Sequence, residues 1–380
     1  MTFQEFNLPF NLTASLASQG IKKAFSIQEK VIPDMIQGED LLGIAPTGSG
    51  KTLSYVLPIL TLLNNFNENR NRHPQVLVLL PTRELAIQVF DVFSNFIEPS
   101  REQFKTIVAY GGTSKNTQMK AMNSVKVLIA TPGRLLDLVE SKAVNLSQLK
   151  VLVVDEADKL LAGDFKKEVD ALLKGISNRT QKVLFSATLS PEVKKIQSAL
   201  FQKAKVIKLK NQSEEKPKIE QRAYQVLAEK KGPFLRYLIN QQSVKPVIIF
   251  TSSVKEADKV ADKLNKNDVE ARAIHSKKSQ HARNTAIQDF KDNKVEVLVA
   301  TDLISRGIDI EGLPYVVNYE LPRSPKDFIH RIGRTARSGK KGTAISLINP
   351  EEEKHFAVIQ KKMGEQVELT HTDGIDLHGY

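Results

Sequence analysis

The sequence predicts an α/β protein of two tandem domains, each a mostly parallel sheet flanked by helices, joined by a flexible linker. Three observations lead there. The chain has 380 residues, more than one ordinary core accommodates. Short β-branched or leucine-rich runs recur with helical patterns between them, at residues 41–45, 75–80, 106–110, 125–130, 149–155 and 182–186, then at 246–251, 271–275, 295–301, 315–319 and 342–348. Strands separated by helices read as βαβ units, and runs without clean alternation read as strands covered on both faces. The third observation is residues 210–218, Lys-Asn-Gln-Ser-Glu-Glu-Lys-Pro-Lys, which lack any apolar residue and carry a proline near the end. Such a stretch is a solvated linker. The expected domains are residues 1–210 and 218–380, with 211–217 between them.

Composition narrows the chemistry. There is no cysteine, so disulfides, thiolate metal sites and cysteine nucleophiles drop out. The seven histidines are scattered and form no His-x-x-x-His pair, which argues against structural zinc. A net charge of +12 points to a polyanionic partner. Tryptophan is absent and aromatic content is 6%, so phosphate and sugar contacts are favoured over a stacking platform for bases. The longest apolar runs, such as residues 76–80 and 151–154, fall far short of the ~20 residues that span a bilayer. The opening residues lack a basic start followed by an apolar stretch. A cytoplasmic protein without membrane association is expected.

The first chemical motif is Ala45-Pro46-Thr47-Gly48-Ser49-Gly50-Lys51-Thr52, after an apolar strand run and before a helical stretch. That is the context of a phosphate-binding loop, with Ala45 where the general pattern has glycine. Its glycines let backbone N–H groups face phosphate oxygens, and the helix adds its positive end. Thr47, Gly48, Ser49 and Gly50 would line ATP. Lys51 would reach the β- and γ-phosphates, and the Thr52 hydroxyl would support Mg²⁺. A second buried run ends in Asp155-Glu156-Ala157-Asp158. Carboxylates at the C-terminal end of a parallel strand lie where ligands bind. Asp155 is the expected Mg²⁺ partner, directly or through water, and Glu156 the group that orients or deprotonates the attacking water.

With these motifs in order, the sequence resembles the DEAD-box RNA helicase family over nearly its whole length, which implies two RecA-like domains. Residues 20–28, with Phe3 upstream, resemble the adenine-reading Q motif. There the Gln28 amide donates to adenine N7 and accepts from the N6 amino group, favouring ATP over GTP. Ala24-Phe25 replaces the usual Pro-Thr and Ile21 the usual aromatic, so Phe3 or Phe25 would share the stacking. Pro81-Thr82-Arg83-Glu84-Leu85, Gly111-Gly112 and Thr131-Pro132-Gly133-Arg134 resemble RNA-contacting motifs. The resemblance places Pro81, Thr82, Arg83, Gly112, Thr131 and Arg134 on phosphates and 2′-hydroxyls, reading backbone shape with little sequence specificity. Ser186-Ala187-Thr188 resembles the motif coupling hydrolysis to strand separation, with hydroxyls able to bridge Asp155–Asp158 carboxylates.

In the second half the resemblance turns Thr251, Arg283 and Thr301 towards RNA, and brings Gly307 and Asp309 to the ATP ribose. Ser276 stands where glycine usually follows His275, and Ile304 where a small residue is usual. His330-Arg331-Ile332-Gly333-Arg334-Thr335-Ala336-Arg337 resembles the arginine-finger motif, with His330 as a coupling residue. Arg334 and Arg337 are three apart and would share a face on a helical turn. They would reach the γ-phosphate when a cleft between the domains closes. Ala336 replaces a glycine: the substitution strains the loop if that position needs positive φ and is harmless if it is helical. The implied activity is ATP hydrolysis coupled to local, non-processive RNA unwinding and RNA or ribonucleoprotein remodelling by a monomeric core. Two alternatives are an ATP-locked RNA clamp with slow turnover and a DNA-directed helicase on the same core.

Overall fold

Runs of Val, Leu and Ile that are too short for helices become strands when both of their faces can be covered. The computed structural model describes every residue except 47, 67–70, 101–104, 162–164, 202, 210–218, 303–309, 311 and 337–340, and every side chain except also those at 98–100, 199, 280 and 326. It divides into two compact units, Met1–Gln212 and Ser213–Tyr380. The expected linker at 211–217 lies outside the described residues.

In the first unit, β1 (Leu41–Ile44), β2 (Val76–Leu79), β3 (Thr106–Ala109), β4 (Val127–Ala130), β5 (Val151–Val154), β6 (Gln181–Ser186) and β7 (Lys205–Lys208) form one sheet. Its order is β3-β4-β2-β5-β6-β1-β7, with every pairing parallel. The pleat sends alternate residues to opposite cores. Val151 and Val153 pack with Ile27, Tyr55, Phe93 and Phe185, whereas Leu152 and Val154 pack with Leu42, Leu128 and Leu184. The fit is close at one point: a Cβ on Gly43 would stand 2.7 Å from the Phe185 ring. Only glycine lets that ring lie against β1.

In the second unit, β8 (Ile219–Gln225), β9 (Val247–Thr251), β10 (Ala271–Ile274), β11 (Val297–Thr301), β12 (Tyr315–Asn318), β13 (Gly342–Ile348) and β14 (Leu369–His371) are again all parallel, in the order β10-β11-β9-β12-β13-β8-β14. Pairwise β-α-β connections with helices on both faces give the two sheets the same architecture. Among the described residues, no helix is long and apolar enough to cross a membrane.

The strand ends of the second unit are tied together by one guanidinium. Arg331, on the helix Pro325–Ile332, is wholly buried. Its Nε and Nη2 donate to the two Asp302 carboxylate oxygens at 2.5 and 2.8 Å, just beyond β11. Its Nη1 donates to Asn318 Oδ1 and to the Glu320 carbonyl, at the end of β12. The Glu320 carboxylate in turn accepts the Ser252 N–H and hydroxyl beyond β9, at 2.8 and 2.7 Å. Arg331 also stacks on Phe250, 5.2 Å from the ring centroid.

The same helix bears on one expectation. It ends at Ile332, Gly333 caps it, and Thr335 forms an isolated bridge with Leu313. Arg334 therefore sits in a turn beyond the helix, and Arg337, expected to share a face with it, lies outside the described residues. Ala336 resolves the other way from harmless: it is buried at φ 53°, in the left-handed region that disfavours a Cβ.

Two stability changes are expected. Gly43→Ala should lower the stability of the first unit by about 1–3 kcal/mol, because the added methyl overpacks the Phe185 ring. Ala336→Gly should raise that of the second unit by roughly 1 kcal/mol. Chemical denaturation of the two variants, each compared with wild type, measures both.

Candidate nucleotide-binding and RNA-binding sites

The helix Lys51–Leu63 begins directly after the loop that leaves β1, so its first turn points N–H groups towards that loop. Gly50 caps it at φ 86°. A Cβ there would collide with the Gln28 amide at 2.5 Å and the Phe25 ring at 2.7 Å, which makes this a cradle only glycine leaves open. Lys51 is buried, with its ammonium donating to the Ala45 and Pro46 carbonyls at 2.9 and 2.7 Å. Ser49 Oγ also donates to the Pro46 carbonyl. Thr47 lies outside the described residues.

Gln28 lies beneath this loop. Its Oε1 accepts the Phe25 N–H at 2.8 Å and its Nε2 donates to the Gly50 carbonyl at 3.0 Å. One N–H and one lone pair of the amide remain, the complement of adenine N7 and N6. Phe25 is 58% exposed beside it. Phe3 is not available in the same way: it is buried in the core, edge-on to Phe6. The expectation that Phe3 helps stack adenine is thus corrected, because its ring is spent on packing.

The carboxylates stand at the end of β5. Asp155 Oδ1 accepts the Glu156 N–H at 2.8 Å, and Oδ2 accepts the Tyr55 hydroxyl at 3.2 Å. Glu156 adopts a left-handed φ of 52° and pairs with Lys159 at 2.8 Å. Left-handed backbone on a non-glycine residue is local strain of the kind found at functional sites. Asp158 Oδ1 accepts the Ser186 hydroxyl at 3.0 Å, and the Ser186 carbonyl accepts the Ala45 N–H at 3.1 Å. The same hydroxyl lies 2.7 Å from the Thr188 carbonyl, so its one proton is shared between two acceptors. The end of β6 thus touches both the carboxylate loop and the phosphate-binding loop.

Desolvation dominates the electrostatics here. Burial pushes the Asp155 and Glu156 carboxyls up, opposed chiefly by Lys51 and Lys159 respectively. Burial also pushes the Lys51 ammonium down, opposed by Asp155, Glu156 and Asp158. The Tyr55 phenol is raised well above its ordinary value, so it stays protonated and donates. The nearby oxygen donors, Thr52 and Asp155, suit a hard cation that keeps waters and phosphate oxygens. Among the described residues there is no cluster of three or more His, Cys, Asp or Glu that could hold a metal ion.

Sheet order separates two territories. The nucleotide elements follow β5, β6 and β1, which are neighbours, and the RNA-motif residues follow β3, β4 and β2, also neighbours. Thr82 caps the helix Arg83–Ser100 by accepting the Leu85 N–H. The Arg83 guanidinium lies over Gly112, where a Cβ would meet it at 2.3 Å. Arg134 is buried and donates to Gln118 Oε1 at 2.6 Å and the Thr113 carbonyl at 3.0 Å. Its head group therefore braces the loop after β3. Pro81 and Thr131 are buried at the ends of β2 and β4. In the second unit the elements named for RNA follow β10, β11 and β9, again adjacent. Thr251 is wholly buried, with its hydroxyl donating to the Ser253 carbonyl, and the exposed residues of that turn are Ser252 and Ser253. Arg283 and Thr301 are buried, and His330 is half-buried. Gly307 and Asp309 lie outside the described residues.

Sequence reasoning missed Tyr55, Lys159, Gln118, Asp302 and Glu320 as partners of these groups. The spacing of Tyr55 four residues after Lys51 was a usable signal, since it places both on one helix face.

Comparison with known proteins fits this geometry. A profile described as DEAD/DEAH box helicase matches residues 25–196, and one described as helicase conserved C-terminal domain matches 230–339. The DEAD-box ATP-dependent RNA helicase RhpA of Helicobacter pylori is 36% identical, over 97% of this chain and 74% of its own. CshA of Bacillus subtilis, named likewise, is 34% identical over 95% of this chain and 72% of its own. S. cerevisiae Dbp5 bound to RNA and ADP BeF3 has a similar structure, with a TM-score of 0.82 at 29% identity, covering 97% of this chain and 95% of that one. With two profiles in tandem and relatives aligned along nearly its full length, this chain belongs to the family of DEAD-box ATP-dependent RNA helicases.

Proposed function

We propose that the chain is an RNA-stimulated ATPase that separates short RNA duplexes locally and remodels RNA or ribonucleoprotein without long travel. The observation that carries this reading is the convergence at neighbouring strand ends of the Gly50 cradle, buried Lys51 and the Asp155–Glu156 pair, beside a separate row of RNA-motif loops. The nucleotides and RNA bound by similar structures support it further.

In this reading the N–H groups of the loop and Lys51 hold the phosphates of ATP, with Lys51 exchanging its two carbonyl partners for phosphate oxygens. Gln28 reads the adenine edge, and Phe25 offers a ring face to the base. Thr52 and Asp155 would hold Mg²⁺, partly through water, and the bound ion would supply charge neutralisation to the phosphates. Glu156 orients the attacking water and accepts its proton, and Asp158 couples to Ser186 and Thr188. Arg334 and Arg337 supply positive charge to the γ-phosphate, a contribution of ~10³–10⁵ in rate. Gly307 and Asp309 meet the ribose. RNA lies along Pro81, Thr82, Arg83, Gly112, Thr131, Arg134, Thr251, Arg283 and Thr301, mostly through its backbone. Arg83 and Arg134 would swing or share their present partners to do so. ATP and RNA binding are coupled, so each strengthens the other. The working unit is a monomer in the cytoplasm.

Glu156→Gln should lower RNA-stimulated hydrolysis by about 10²–10⁴-fold while ATP still binds. A phosphate-release assay with RNA at saturation measures this, and undiminished turnover would remove the role assigned to Glu156. Gln28→Ala should erase most of the preference for ATP over GTP, roughly tenfold in KM for ATP. Stimulation by RNA but not by DNA of the same sequence separates an RNA enzyme from a DNA-directed one.

A further inference from the structure

The helix Lys51–Leu63 turns two residues towards the end of β1, four positions apart. Lys51 has a task in the proposed reaction and Tyr55 has none. The Tyr55 ring is wholly buried and rests on Phe185 at a centroid distance of 5.6 Å. Its hydroxyl donates to Asp155 Oδ2 at 3.2 Å. One buried phenol thus meets the carboxylate expected to hold the divalent ion. A buried tyrosine hydroxyl needs a partner of some kind, and a backbone carbonyl would satisfy it. Here the partner is the carboxylate on which the metal site depends.

We propose that Tyr55 is a positioning residue for the divalent-ion site, presetting the Asp155 carboxylate for Mg²⁺ arriving with the nucleotide. The proposal rests on the nucleotide-site reading above. The mechanism is geometric. Asp155 Oδ1 is held by the Glu156 N–H and Oδ2 by the phenol, so donors from two different elements grip the two oxygens. The carboxylate cannot rotate about Cβ–Cγ without losing one of them, and each oxygen keeps a lone pair for the ion or its water. Without the phenol, Oδ2 loses its donor and the carboxylate is free to turn away. Loss of such an outer partner costs about tenfold or more in metal affinity.

The test is Tyr55→Phe in the full chain, which keeps the ring on Phe185 and removes only the oxygen. Binding of a fluorescent ADP analogue is titrated across a range of Mg²⁺ concentrations and in EDTA, with a thermal melt of each variant alongside. The expected result is a roughly tenfold rise in the Mg²⁺ concentration that half-saturates the nucleotide response, with affinity in EDTA unchanged. An unchanged Mg²⁺ half-saturation would overturn the proposal, as would an equal loss with and without Mg²⁺, which marks a packing role alone. Asp155→Asn separates the two readings. If it abolishes the Mg²⁺ response and Tyr55→Phe does not alter it, only the Tyr55 proposal falls. If Asp155→Asn keeps the full response, the metal-site reading falls and takes the proposal with it.

Discussion

Covering both faces of a parallel sheet leaves its strand ends as the only place where backbone and polar side chains can meet a ligand. That constraint organises both halves of this molecule. Buried strands such as β1, β2, β4 and β5 expose no residue along their length. Chemistry is therefore pushed to the turns that follow them, where chain direction puts every C-terminal end on one side. Strand order then decides what sits beside what. In the first unit the phosphate-loop and carboxylate ends occupy β5, β6 and β1, and the RNA-motif ends occupy β3, β4 and β2. Ser186 and the Ala45 N–H show how closely neighbouring ends are coupled.

Crowding charge into these ends has a cost, which the protein meets with internal partners. Lys51 lies on two loop carbonyls, Glu156 on Lys159, Asp155 on Tyr55 and the Glu156 N–H, and Arg134 on Gln118 and Thr113. A buried charge without such bonds would carry a large desolvation penalty. In the reading proposed above, a polyphosphate or RNA backbone would replace some of these bonds with comparable ones, so the exchange would leave no buried charge without a partner.

Much of this was legible in the sequence, and the failures have physical causes. Strands buried on both faces announced themselves as apolar runs. β7, β8 and β14 did not, because Lys205–Lys208 buries only Ile207, Ile219–Gln225 is mostly polar, and Leu369–His371 has three residues. Their pairing is decided by the neighbouring strand, which no local pattern records. Lys51 and Asp155 could be named as candidates from the strand-to-loop context, because a loop between a strand and a helix constrains its residues tightly, whereas Ser186 came from the family resemblance. Phe3 could not be placed, since a lone aromatic near a motif reads equally as stacking surface or as core. The end of the helix at Ile332 was equally hidden: Gly333 is a stop signal, but the arginine spacing suggested continuation.

The guanidinium of Arg331 has a consequence for how the second unit comes apart. It has no exposed surface and grips groups beyond β11 and β12, while Glu320 extends the same web to β9. Fraying the helix Pro325–Ile332 by itself would pull that buried cation away from the carboxylate and carbonyl groups that now satisfy it. Partial opening is therefore penalised more than its few lost backbone bonds suggest. Amide protons of this helix and of the central strands should accordingly belong to a single foldon, exchanging with solvent together and only in deep, shared openings.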